Sequence, residues 1–328
     1  MFDTTKPRVV HLIDDTTAGG VMRVFDHITG SPELAEFSCH KIMKVTRGAI
    51  SFRKIHADVI VSHLSISWRT LPVLIALRAR HPFTKMAHVE HSYTAAFVTH
   101  NVTRTGRFYT LLRRAFSLFD RVVAVSNGQA NWLRTQGLVP DAKLRVIQSY
   151  VDLQPFAEIP DRSGPIRIFG AIGRFDQQKG FDTLIIAFRQ TTNPDLRLCF
   201  FGEGDEETAL RALAKGDARI QFKGFASDPL DAYRMVDAVA MPSRWEAYGL
   251  VAIEALSARR VLICNGCDGL QDHSIFGAHI LGDNTIENWF DIFAAQDNGF
   301  SPCDDRSMTH VLRDNNMENW HGLVRDLV

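Results

Sequence analysis

Short apolar runs rich in β-branched residues alternate with runs of helical periodicity along almost the whole chain. In the first half, strand-like segments such as RVVHLID and ADVIVSHL are followed by amphipathic segments such as VMRVFDHI and WRTLPVLIALRAR. A repeated order of strand, helix and strand is typical of a parallel sheet that helices cover on both faces. The pattern therefore predicts an α/β protein.

The alternation is interrupted once, at residues 151–165, where VDLQPFAEIPDRSGP is rich in Pro, Asp and Ser and indicates a linker. Afterwards it resumes with strand-like segments such as IRIFGAIG, LRLCFFG and DAVAMPS. A chain of 328 residues is long enough for two cores of ordinary size. We predict a first domain over residues 1–155, a second domain over residues 156–310 and a C-terminal helix over residues 311–328 that packs back toward the first domain.

The composition, with 45% hydrophobic and 23% charged residues, is typical of a globular protein. No apolar run has the length of a signal peptide core or of a membrane span, so we expect a cytoplasmic protein. The odd number of scattered cysteines argues against a disulfide framework. Two of them form a lone C-x-x-C, which predicts buried thiols near a strand end more than a zinc or redox site, because no second ligand pair exists. The cysteines are Cys39, Cys199, Cys264, Cys267 and Cys303.

Charge is divided unevenly between the two halves of the chain. Residues 1–155 contain 20 Lys and Arg against 11 Asp and Glu, and residues 156–328 contain 17 against 26, so the halves carry +9 and −9. This asymmetry predicts that the first half faces something anionic, although ordinary solvated surface would give the same count. Nucleic acid is not expected as a partner, because no array of basic and aromatic residues of the RNA-binding kind is present.

The segment SRWEAYGLVAIEAL places Glu246 and Glu254 in an E-x7-E spacing directly after the strand-like DAVAMP. A helix is predicted to begin near Gly249, and the N–H groups of Gly249, Leu250 and Val251 would then attract a phosphate. Glu246 would lie near a sugar and Glu254 would accept from ribose hydroxyls. The alternative is a solvated helix face with no ligand.

The segment GAIGRFDQQKGFDTLI forms a strand-to-helix turn in which Gly173 and Gly180 bound Arg174 and Lys179. A guanidinium and an ammonium together can neutralise the charge that grows on a diphosphate leaving group. Because the chain also lacks a D-x-D carboxylate pair, we expect neither a metal nor another cofactor. Surface cations in an ordinary loop are the alternative.

Taken together, these segments resemble glycosyltransferase family 4, a family of retaining nucleotide-sugar enzymes. The resemblance covers nearly the whole chain and is strongest over residues 168–256. Its marks occur in the family's order as DDTTAGGVMR, DVIVSH, VEHS, RVVAVSNGQANWL, KLRVIQSYVD, GRFDQQKGFDTLI, LCFFGEGDEETAL, IQFKGF and EAYGLVAIEAL. The resemblance implies the GT-B fold, in which two Rossmann-like doubly wound domains face each other across a cleft. It implies that the domain over residues 1–155 binds the acceptor and that the domain over residues 156–310 binds the nucleotide-sugar donor. It also implies transfer of a hexose from a UDP- or GDP-sugar to a saccharide or lipid-linked acceptor, without a metal.

The resemblance also implies site residues. Gly19 and Gly20 match a glycine turn that brings backbone N–H groups to the donor phosphate and the acceptor, where a Cβ would block the approach. His91 matches a histidine that touches the sugar, with His88 as a rival and a structural histidine as the alternative for both. The implied catalytic residues are Glu246, Arg174, Lys179 and His91. The implied donor-binding residues are Gly19, Gly20, Gly173, Arg174, Lys179, Gly224, Phe225 (the last two in the base-binding loop), Glu246, Tyr248, Gly249, Leu250, Val251 and Glu254.

Departures from the family pattern bear on the sugar pocket. They are Ser149 and Tyr150 before the Val-Asp pair, Arg259, Arg260 and Val261 after the second glutamate, and Asp268, Gly269 and Asp272 downstream. These changes keep open a non-catalytic nucleotide-sugar-binding or scaffold protein of the same fold. Other GT-B chemistry, such as an epimerase or a phosphorylase, also remains open. A dinucleotide oxidoreductase is disfavoured, because the G-x-G at Gly202 and Gly204 lacks a third glycine.

The segment TRTGRFYTLLRRAFSLF interleaves arginines with aromatic and aliphatic residues. One interpretation is a basic amphipathic helix on an anionic membrane, which would hold the protein peripherally at the inner face of the cytoplasmic membrane near a lipid-linked acceptor. The other is a half-buried helix of the first domain with its arginines in water. The sequence favours neither.

Overall fold

The computed structural model describes residues 6–15, 19–47, 54–162, 164–295, 299–302 and 305–328. The chain divides into two compact units. Unit 1 comprises Met1–Val151 and Val311–Val328, and unit 2 comprises Asp152–His310. Each unit is built on one six-stranded sheet, and the described strands within each sheet pair in parallel.

The sheet of unit 1 has the strand order β2-β1-β3-β4-β5-β6. Its strands are β1 (Arg8–Ile13), β2 (Cys39–Lys44), β3 (Val59–Ser62), β4 (Lys85–Glu90), β5 (Arg121–Ala124) and β6 (Leu144–Val146). The chain adds β2 on one side of β1 and the remaining strands on the other side. This reversal creates a topological switch point at β1 and β3, and ligands of doubly wound sheets bind at the carboxyl ends of the strands beside such a point.

Helices cover both faces of the unit 1 sheet. They are α1 (Gly20–Gly30), α2 (Pro32–Phe37), α3 (Leu71–Arg80), α4 (Ala95–Asn101), α5 (Thr105–Ser117), α6 (Asn127–Thr135) and, from the end of the chain, α13 (Met308–Leu327). Strand residues such as Ile60 and Met86 and helix residues such as Leu112 and Phe116 are buried together in one core. The C-terminal helix is anchored to unit 1 by Asn316, whose side-chain amide donates to the Gln148 carbonyl at 2.7 Å.

The sheet of unit 2 has the order β12-β11-β10-β7-β8-β9. Its strands are β7 (Ile168–Ile172), β8 (Arg197–Phe201), β9 (Ile220–Gly224), β10 (Ala238–Met241), β11 (Val261–Asn265) and β12 (His279–Leu281). Here β7 is the first strand, and later strands extend the sheet on both sides of it. The switch point therefore lies between β7 and β10.

The helices of unit 2 are α7 (Gln154–Ala157), α8 (Phe181–Phe188), α9 (Glu207–Ala214), α10 (Pro229–Met235), α11 (Leu250–Ser257) and α12 (Ile286–Ala294), with short 3-10 helices at Gln177–Lys179 and Asp268–Phe276. Aromatic side chains dominate the core, where Phe169, Phe188 and Trp289 are fully buried. In α8 six of eight residues are buried, so this helix lies between the sheet and its neighbours and shows no strongly polar face.

The predicted fold class is confirmed, since both units are Rossmann-like and doubly wound. The C-terminal helix covers Met308–Leu327 and therefore begins three residues before the predicted start at residue 311. Met308 and Thr309, which precede the predicted start, are buried, so tertiary packing extends the helix beyond the predicted range. Among the described helices, none is both long enough and apolar enough to cross a bilayer.

Candidate functional site

Two loops meet at the switch point of unit 2, one after β7 (residues 173–180) and one after β10 (residues 242–249). Besides an ion pair between their side chains, three hydrogen bonds join the two loops. The Arg244 N–H donates to the Gln178 carbonyl at 2.7 Å, the Gln178 side-chain amide donates to the Trp245 carbonyl at 3.0 Å, and the Arg244 guanidinium donates to the Gln177 carbonyl at 2.8 Å. The two segments that the sequence singled out are therefore neighbours, although about seventy residues separate them.

The closest contact between the two loops is an ion pair between Lys179 and Glu246. The Lys179 Nζ lies 2.5 Å from Glu246 Oε2, and the two side chains are only 15% and 12% exposed. The Ser243 hydroxyl lies 3.4 Å from the same carboxylate oxygen. An anion that binds to the ammonium must therefore compete with Glu246 for it.

Two glycines let the Lys179 side chain and its turn approach so closely. Gly180 has φ 64°, and a Cβ on it would lie 2.5 Å from the Pro242 carbonyl oxygen. Gly173 has φ 146°, and a Cβ there would lie 3.2 Å from Lys179 Cε. A side chain at either position would meet both the steric contact and an unfavourable backbone conformation. The glycines thus determine where the ammonium lies.

The loop after β11 holds the main chain of Glu246. The Glu246 N–H donates to Asp268 Oδ2 at 3.3 Å, and the Glu246 carbonyl accepts from the Gly269 N–H at 3.0 Å. Asp268 adopts φ 45°, a conformation that is uncommon for a residue other than glycine. The residues at 268 and 269, which depart from the family pattern, therefore support the glutamate.

Helix α11 begins directly beside this ion pair. Gly249 precedes the helix with φ 91°, and a Cβ on Gly249 would lie 3.3 Å from Glu246 Cγ. The first N–H groups of a helix, here those of Leu250 and Val251, have no acceptor within the helix and carry partial positive charge. The helix start and the Lys179 ammonium are therefore two sources of positive potential close to the Glu246 carboxylate, which is the arrangement expected of an anion site.

Glu254 and Tyr248 lie deeper than the ion pair. Glu254 is 2% exposed, and its Oε2 accepts from the Tyr233 hydroxyl at 2.6 Å. Tyr248 is 3% exposed, and burial raises the pKa of its phenol. Within the described residues its hydroxyl has no hydrogen-bond partner. The ribose-binding role of Glu254 stays a prediction, and its carboxylate can accept further hydrogen bonds besides the one from Tyr233.

Arg174 and the predicted base-binding residues lie at the surface of unit 2. The Arg174 side chain is 69% exposed and lies 3.2 Å from Asp176 Oδ2. Phe225 is also 69% exposed, directly after β9. The Gly224 carbonyl accepts from the Gly202 N–H at 2.9 Å, which ties the end of β9 to the end of β8. These three residues are accessible to a ligand but do not contact the ion pair.

The G-x-G sequence after β8 serves the packing of backbone. A Cβ on Gly202 would lie 2.0 Å from the Gly173 carbonyl oxygen, and a Cβ on Gly204 would lie 2.5 Å from the Phe175 carbonyl oxygen. Both glycines thus allow this turn to lie against the loop that carries Arg174 and Lys179. Their role is therefore to let the turn after β8 pack against the loop after β7 and support it.

In unit 1, His91 and His88 lie on opposite faces of the sheet. His91 follows β4 at its carboxyl end and is partly exposed. His88 is 2% exposed and packs against the rings of Phe116 and Phe119. Of the two candidates, His91 is the one that a ligand at the strand ends could reach.

Gly19 and Gly20 lie at the start of α1 and are exposed. The φ of Gly19 is 169°, an extended conformation that any residue can adopt, so the backbone angle does not explain the glycine. The preceding part of the motif, residues 16–18, lies outside the described residues. The phosphate-binding role of this turn stays a prediction.

Arg259 and Arg260 follow the carboxyl end of α11, whereas the ion pair lies at its amino end. The Arg259 guanidinium donates to the Ala157 and Ile159 carbonyls, both at 3.1 Å. Arg260 is 1% exposed and donates to the Tyr233 carbonyl at 2.7 Å and to the Pro160 carbonyl at 3.0 Å. Both side chains hydrogen-bond to the linker segment and hold it against the rest of unit 2. They therefore do not indicate a sugar pocket that has lost its function.

The C-x-x-C pair lies at a strand end as expected, but Cys267 is only half-buried. Cys264 is buried in β11, and the Cys267 thiol donates to the Ser243 carbonyl at 3.2 Å. Burial raises the pKa of Cys264 to about 12 and raises that of Cys267 even further. A reactive or metal-binding thiol needs a lowered pKa. Cys303 lies outside the described residues.

Four residues that were not among the predicted site residues complete the site. Arg244 joins the two loops, Ser243 and Asp268 contact Glu246, and the Asn284 side-chain amide donates to the Pro242 carbonyl at 2.7 Å. The signal for Ser243 and Arg244 was their position between a strand and the E-x7-E motif. No sequence feature indicated Asn284, because it follows β12 and lies outside every motif described above.

Helix α5 corresponds to the basic amphipathic segment. Its apolar residues Leu111, Leu112 and Phe116 are buried in the core of unit 1, so the helix has no apolar face to insert into lipid. Arg113 donates to the Gln136 and Gly137 carbonyls at 2.9 and 3.0 Å. This finding favours the half-buried helix over the membrane-inserted one.

Two family models match the chain, and together they take in most of both units. Residues 22–155 match the model described as Glycosyltransferase Family 4, and residues 158–275 match the model described as Glycosyl transferases group 1. The boundary between the two matches falls in the linker segment. Every residue discussed above in the ion-pair site, apart from Asn284, lies in the second match.

Individual relatives are distant. A glycogen synthase of Mycobacterium tuberculosis is 30% identical over 42% of this chain, a stretch that spans only 35% of that enzyme. The lipopolysaccharide core biosynthesis glycosyltransferase LpsE of Rhizobium meliloti is 27% identical over 77% of both chains. The crystal structure of Anabaena Alr3699/HepE in complex with UDP-glucose is similar in fold, with a TM-score of 0.71, 14% identity and coverage of 97% of this chain and 99% of that one.

Proposed function

Because the chain belongs to the glycosyltransferases of group 1 and family 4 and has the GT-B fold, we propose that it transfers a hexose from a nucleoside diphosphate sugar to a saccharide acceptor with retention of configuration. The observation that carries the proposal is the Lys179–Glu246 ion pair at the start of α11. A cation and a helix N-terminus suit the diphosphate, and a carboxylate beside them suits the hydroxyls of the sugar.

In this proposal the donor's diphosphate binds to Lys179 and to the N–H groups of Gly249, Leu250 and Val251. The exposed Arg174 then leaves Asp176 and closes on the phosphates as a second cation. Glu246, released from Lys179, accepts hydrogen bonds from the sugar. The remaining donor contacts are the predicted ones: Glu254 to the ribose, Gly224 and Phe225 to the base, and Gly19, Gly20, Gly173, Tyr248 and His91 around the phosphates and the sugar.

The mechanism follows from these roles. The acceptor hydroxyl attacks on the face from which the diphosphate departs, through an oxocarbenium-like state, so no protein nucleophile is needed. The positive groups around Lys179 are already oriented before the reaction and stabilise the charge that develops on the leaving oxygen. The same groups take the place of a metal ion, and the proposed reaction is therefore independent of metal.

UDP-hexose is the proposed donor. HepE has been crystallised with UDP-glucose, and its fold is shared over nearly the whole of this chain. For the acceptor we propose a lipid-linked saccharide or a polysaccharide precursor, on the strength of the LpsE match over most of both chains. A GDP-sugar is the alternative donor.

The donor is tested by thermal unfolding of the protein in the presence of UDP, GDP or ADP. A ligand at 100 times its Kd stabilises a protein by about 2.7 kcal/mol. We expect a clear rise in Tm with UDP that is the same with and without EDTA. A rise with GDP alone would reassign the base, and no rise with any of the three would contradict the nucleotide site.

The roles of the ion pair are tested with Lys179→Met and Glu246→Ala, followed by release of nucleotide from UDP-glucose in the presence of saccharide acceptors. Both variants should keep the wild-type fold by circular dichroism and lose transfer by at least a hundredfold, in the range expected when a preorganised charged group is removed. Lys215→Met, at an exposed lysine directly after α9, is the matched control and should be active. Near-normal rates in the first two variants would refute the assignment.

A non-catalytic nucleotide-sugar-binding or scaffold protein is the second candidate. It would give the same Tm shift with nucleotide but no turnover with any acceptor. The linker contacts of Arg259 and Arg260 remove the argument that had favoured it. Turnover of UDP-glucose, including slow hydrolysis, separates the two candidates.

Peripheral attachment at the inner face of the cytoplasmic membrane forms the last part of the proposal. Because the apolar side of α5 is buried, attachment would depend on exposed arginines such as Arg104, Arg107 and Arg114. Binding of this kind weakens as salt rises. Co-sedimentation with phosphatidylglycerol vesicles at low and high salt tests it, and equal sedimentation with phosphatidylcholine vesicles would reject it.

A further inference from the structure

Four histidines form an unbroken hydrogen-bonded row in unit 1, which we call the histidine chain. It consists of His40, His11, His63 and His91. His40 Nδ1 lies 2.9 Å from His11 Nε2, His11 Nδ1 lies 2.9 Å from His63 Nε2, and His63 Nδ1 lies 2.8 Å from His91 Nε2. At the far end the Ser38 hydroxyl lies 2.8 Å from His40 Nε2. Each ring thus presents its Nδ1 to the Nε2 of the next.

The row follows from the register of the sheet. His11 lies opposite Val61 of β3 and Ile42 of β2, and Val61 lies opposite Ala87 of β4. Since side chains alternate between faces every second residue, one histidine from each of four neighbouring strands or strand ends points to the same face. The row runs diagonally from the start of β2 to the carboxyl end of β4.

Aromatic side chains pack against the histidine chain on this face of the unit 1 sheet. The Phe25 ring of α1 lies 4.6 Å from the His63 ring, and the Trp320 ring of α13 lies 5.5 Å from the His11 ring. His11 is completely buried. The nitrogens face each other in pairs at hydrogen-bond distance, and the described residues contain no His, Cys, Asp or Glu cluster arranged around a metal position.

The Ser38 end of the histidine chain determines the direction of the hydrogen bonds along it. A neutral imidazole carries one N–H donor and one acceptor nitrogen, so a row of neutral rings can donate only in one direction or the other. Ser38 is 2% exposed, and within the part of the chain that the structure describes His40 Nε2 is the partner of its hydroxyl. If Ser38 accepted from His40, its own hydroxyl hydrogen would be buried without an acceptor, which is costly. Ser38 therefore donates.

We propose that Ser38, His40, His11 and His63 are positioning residues that hold His91 as the Nδ1–H tautomer, a neutral hydrogen-bond donor at the carboxyl edge of the unit 1 sheet. Each ring donates from Nδ1 to the next ring, so His91 Nε2 is always an acceptor and its proton lies on Nδ1. The described residues offer Nδ1 no partner, and the ring is partly exposed there. Burial lowers the pKa of His91 to about 4 and so keeps the ring neutral at physiological pH.

This assignment gives His91 a definite chemical role, which rests on the proposed function. A fixed Nδ1–H can donate to a sugar hydroxyl or a phosphate oxygen of the donor but cannot accept a proton from the acceptor hydroxyl. His91 therefore orients the donor and does not act as a general base. The acceptor proton leaves with the departing diphosphate oxygen, as front-face attack requires.

The tautomer can be read directly by two-bond ¹H–¹⁵N correlation NMR of ¹⁵N-histidine-labelled protein at neutral pH, with the resonances assigned from single His→Gln variants. We expect the Nδ1–H pattern at all four rings of the histidine chain. An Nε2–H pattern at His91 in the wild-type protein would overturn the proposal without the need for any variant.

Ser38→Ala removes the hydroxyl that sets the direction and should allow the Nε2–H form of His91 to appear in the same spectrum. Ser62→Ala is the matched control. It removes another fully buried serine hydroxyl, but this hydroxyl lies 3.5 Å from His88 Nδ1, and His88 is not part of the histidine chain. The control should leave the His91 pattern unchanged. An unchanged Nδ1–H pattern in Ser38→Ala would refute the part played by Ser38.

Kinetics then connects the tautomer to the donor. We expect kcat/KM for UDP-glucose to fall about three- to tenfold in Ser38→Ala, the effect of one neutral hydrogen bond, and to be unchanged in Ser62→Ala. Altered tautomers with unaltered kinetics would refute the role of His91 toward the donor. The two proposals fail separately, because absence of nucleotide binding refutes the proposed function while the NMR pattern tests the histidine chain alone.

Discussion

Gly180→Ala tests whether the turn after β7 must approach the loop after β10. The substituted residue would have to adopt φ 64° and place its Cβ 2.5 Å from the Pro242 carbonyl oxygen. The left-handed conformation costs a residue with a Cβ about 1–2 kcal/mol. A contact of 2.5 Å with backbone cannot be tolerated, so one of the two loops must move.

The movement has a calculable cost. It stretches the hydrogen bond from Asn284 to the Pro242 carbonyl and the one from the Arg244 N–H to the Gln178 carbonyl, each 2.7 Å long. A hydrogen bond contributes about 1 kcal/mol net. Added to the backbone term, the total destabilisation is about 3–4 kcal/mol. For a unit of this size each kcal/mol lowers Tm by about 2–4 °C.

Gly216→Ala is the matched control in the same unit. Gly216 has φ 91°, and a Cβ there would meet nothing within 4 Å, so this variant measures the backbone cost without the steric contact. We expect Gly180→Ala to melt about 4–8 °C below Gly216→Ala in differential scanning calorimetry. Its affinity for UDP should also fall at least tenfold by isothermal titration, because the turn carries Lys179. Equal melting temperatures in the two variants, with UDP affinity unchanged, would refute the reasoning.

Three further predictions follow from the site and from the histidine chain. Glu246→Gln should bind UDP about 5- to 100-fold more tightly, since a unit charge about 5 Å from the phosphate is removed, while transfer is lost; weaker binding by titration would contradict competition for Lys179. Cys264→Ser and Cys267→Ser should leave the number of thiols that react with Ellman's reagent in the native protein unchanged at pH 8, because burial raises both pKa values; a lower count would show a reactive thiol. The histidine chain keeps its pKa values below 6.5, so the unfolded state binds more protons and stability should fall between pH 6.5 and 5; a constant urea midpoint over that window would contradict it.

The residues at the strand ends could be predicted because the sequence marks where each strand stops. Gly173, Arg174 and Lys179 follow one apolar run, and Glu246 and Gly249 follow another. Parallel strands bring such ends to one edge of a sheet, so the ends belong together whatever the strand order is. This reasoning predicts that the two loops are near each other, and in unit 2 they are.

The contacts between the loops could not be predicted, because they depend on which strands are neighbours. Arg244 reaches the Gln177 and Gln178 carbonyls only because β10 lies beside β7. The sequence spacing carries no information on that adjacency. The contact between Asn284, which follows β12, and the Pro242 carbonyl could not be predicted either. No local sequence pattern links these two residues.

The histidine chain shows the same limit within unit 1. His11 stands alone in RVVHLI and reads as one polar residue in a buried strand. Only the parallel register across three strand pairs reveals that its neighbours on that face are also histidines. A lone histidine in an apolar strand is therefore a signal that its partners should be sought on the adjacent strands.

In the proposed donor site, the ion pair favours a complete nucleotide sugar over a bare nucleoside diphosphate. With no ligand bound, Glu246 neutralises Lys179 at 2.5 Å. A bare diphosphate that takes the ammonium would leave the carboxylate partly buried beside added negative charge, which is unfavourable. A nucleotide sugar brings hydroxyl donors for the carboxylate together with phosphates for the ammonium, so both groups remain paired. Once the sugar has been transferred, the nucleoside diphosphate no longer provides hydroxyl donors for Glu246, so it binds less tightly. Transfer of the sugar therefore promotes release of the product.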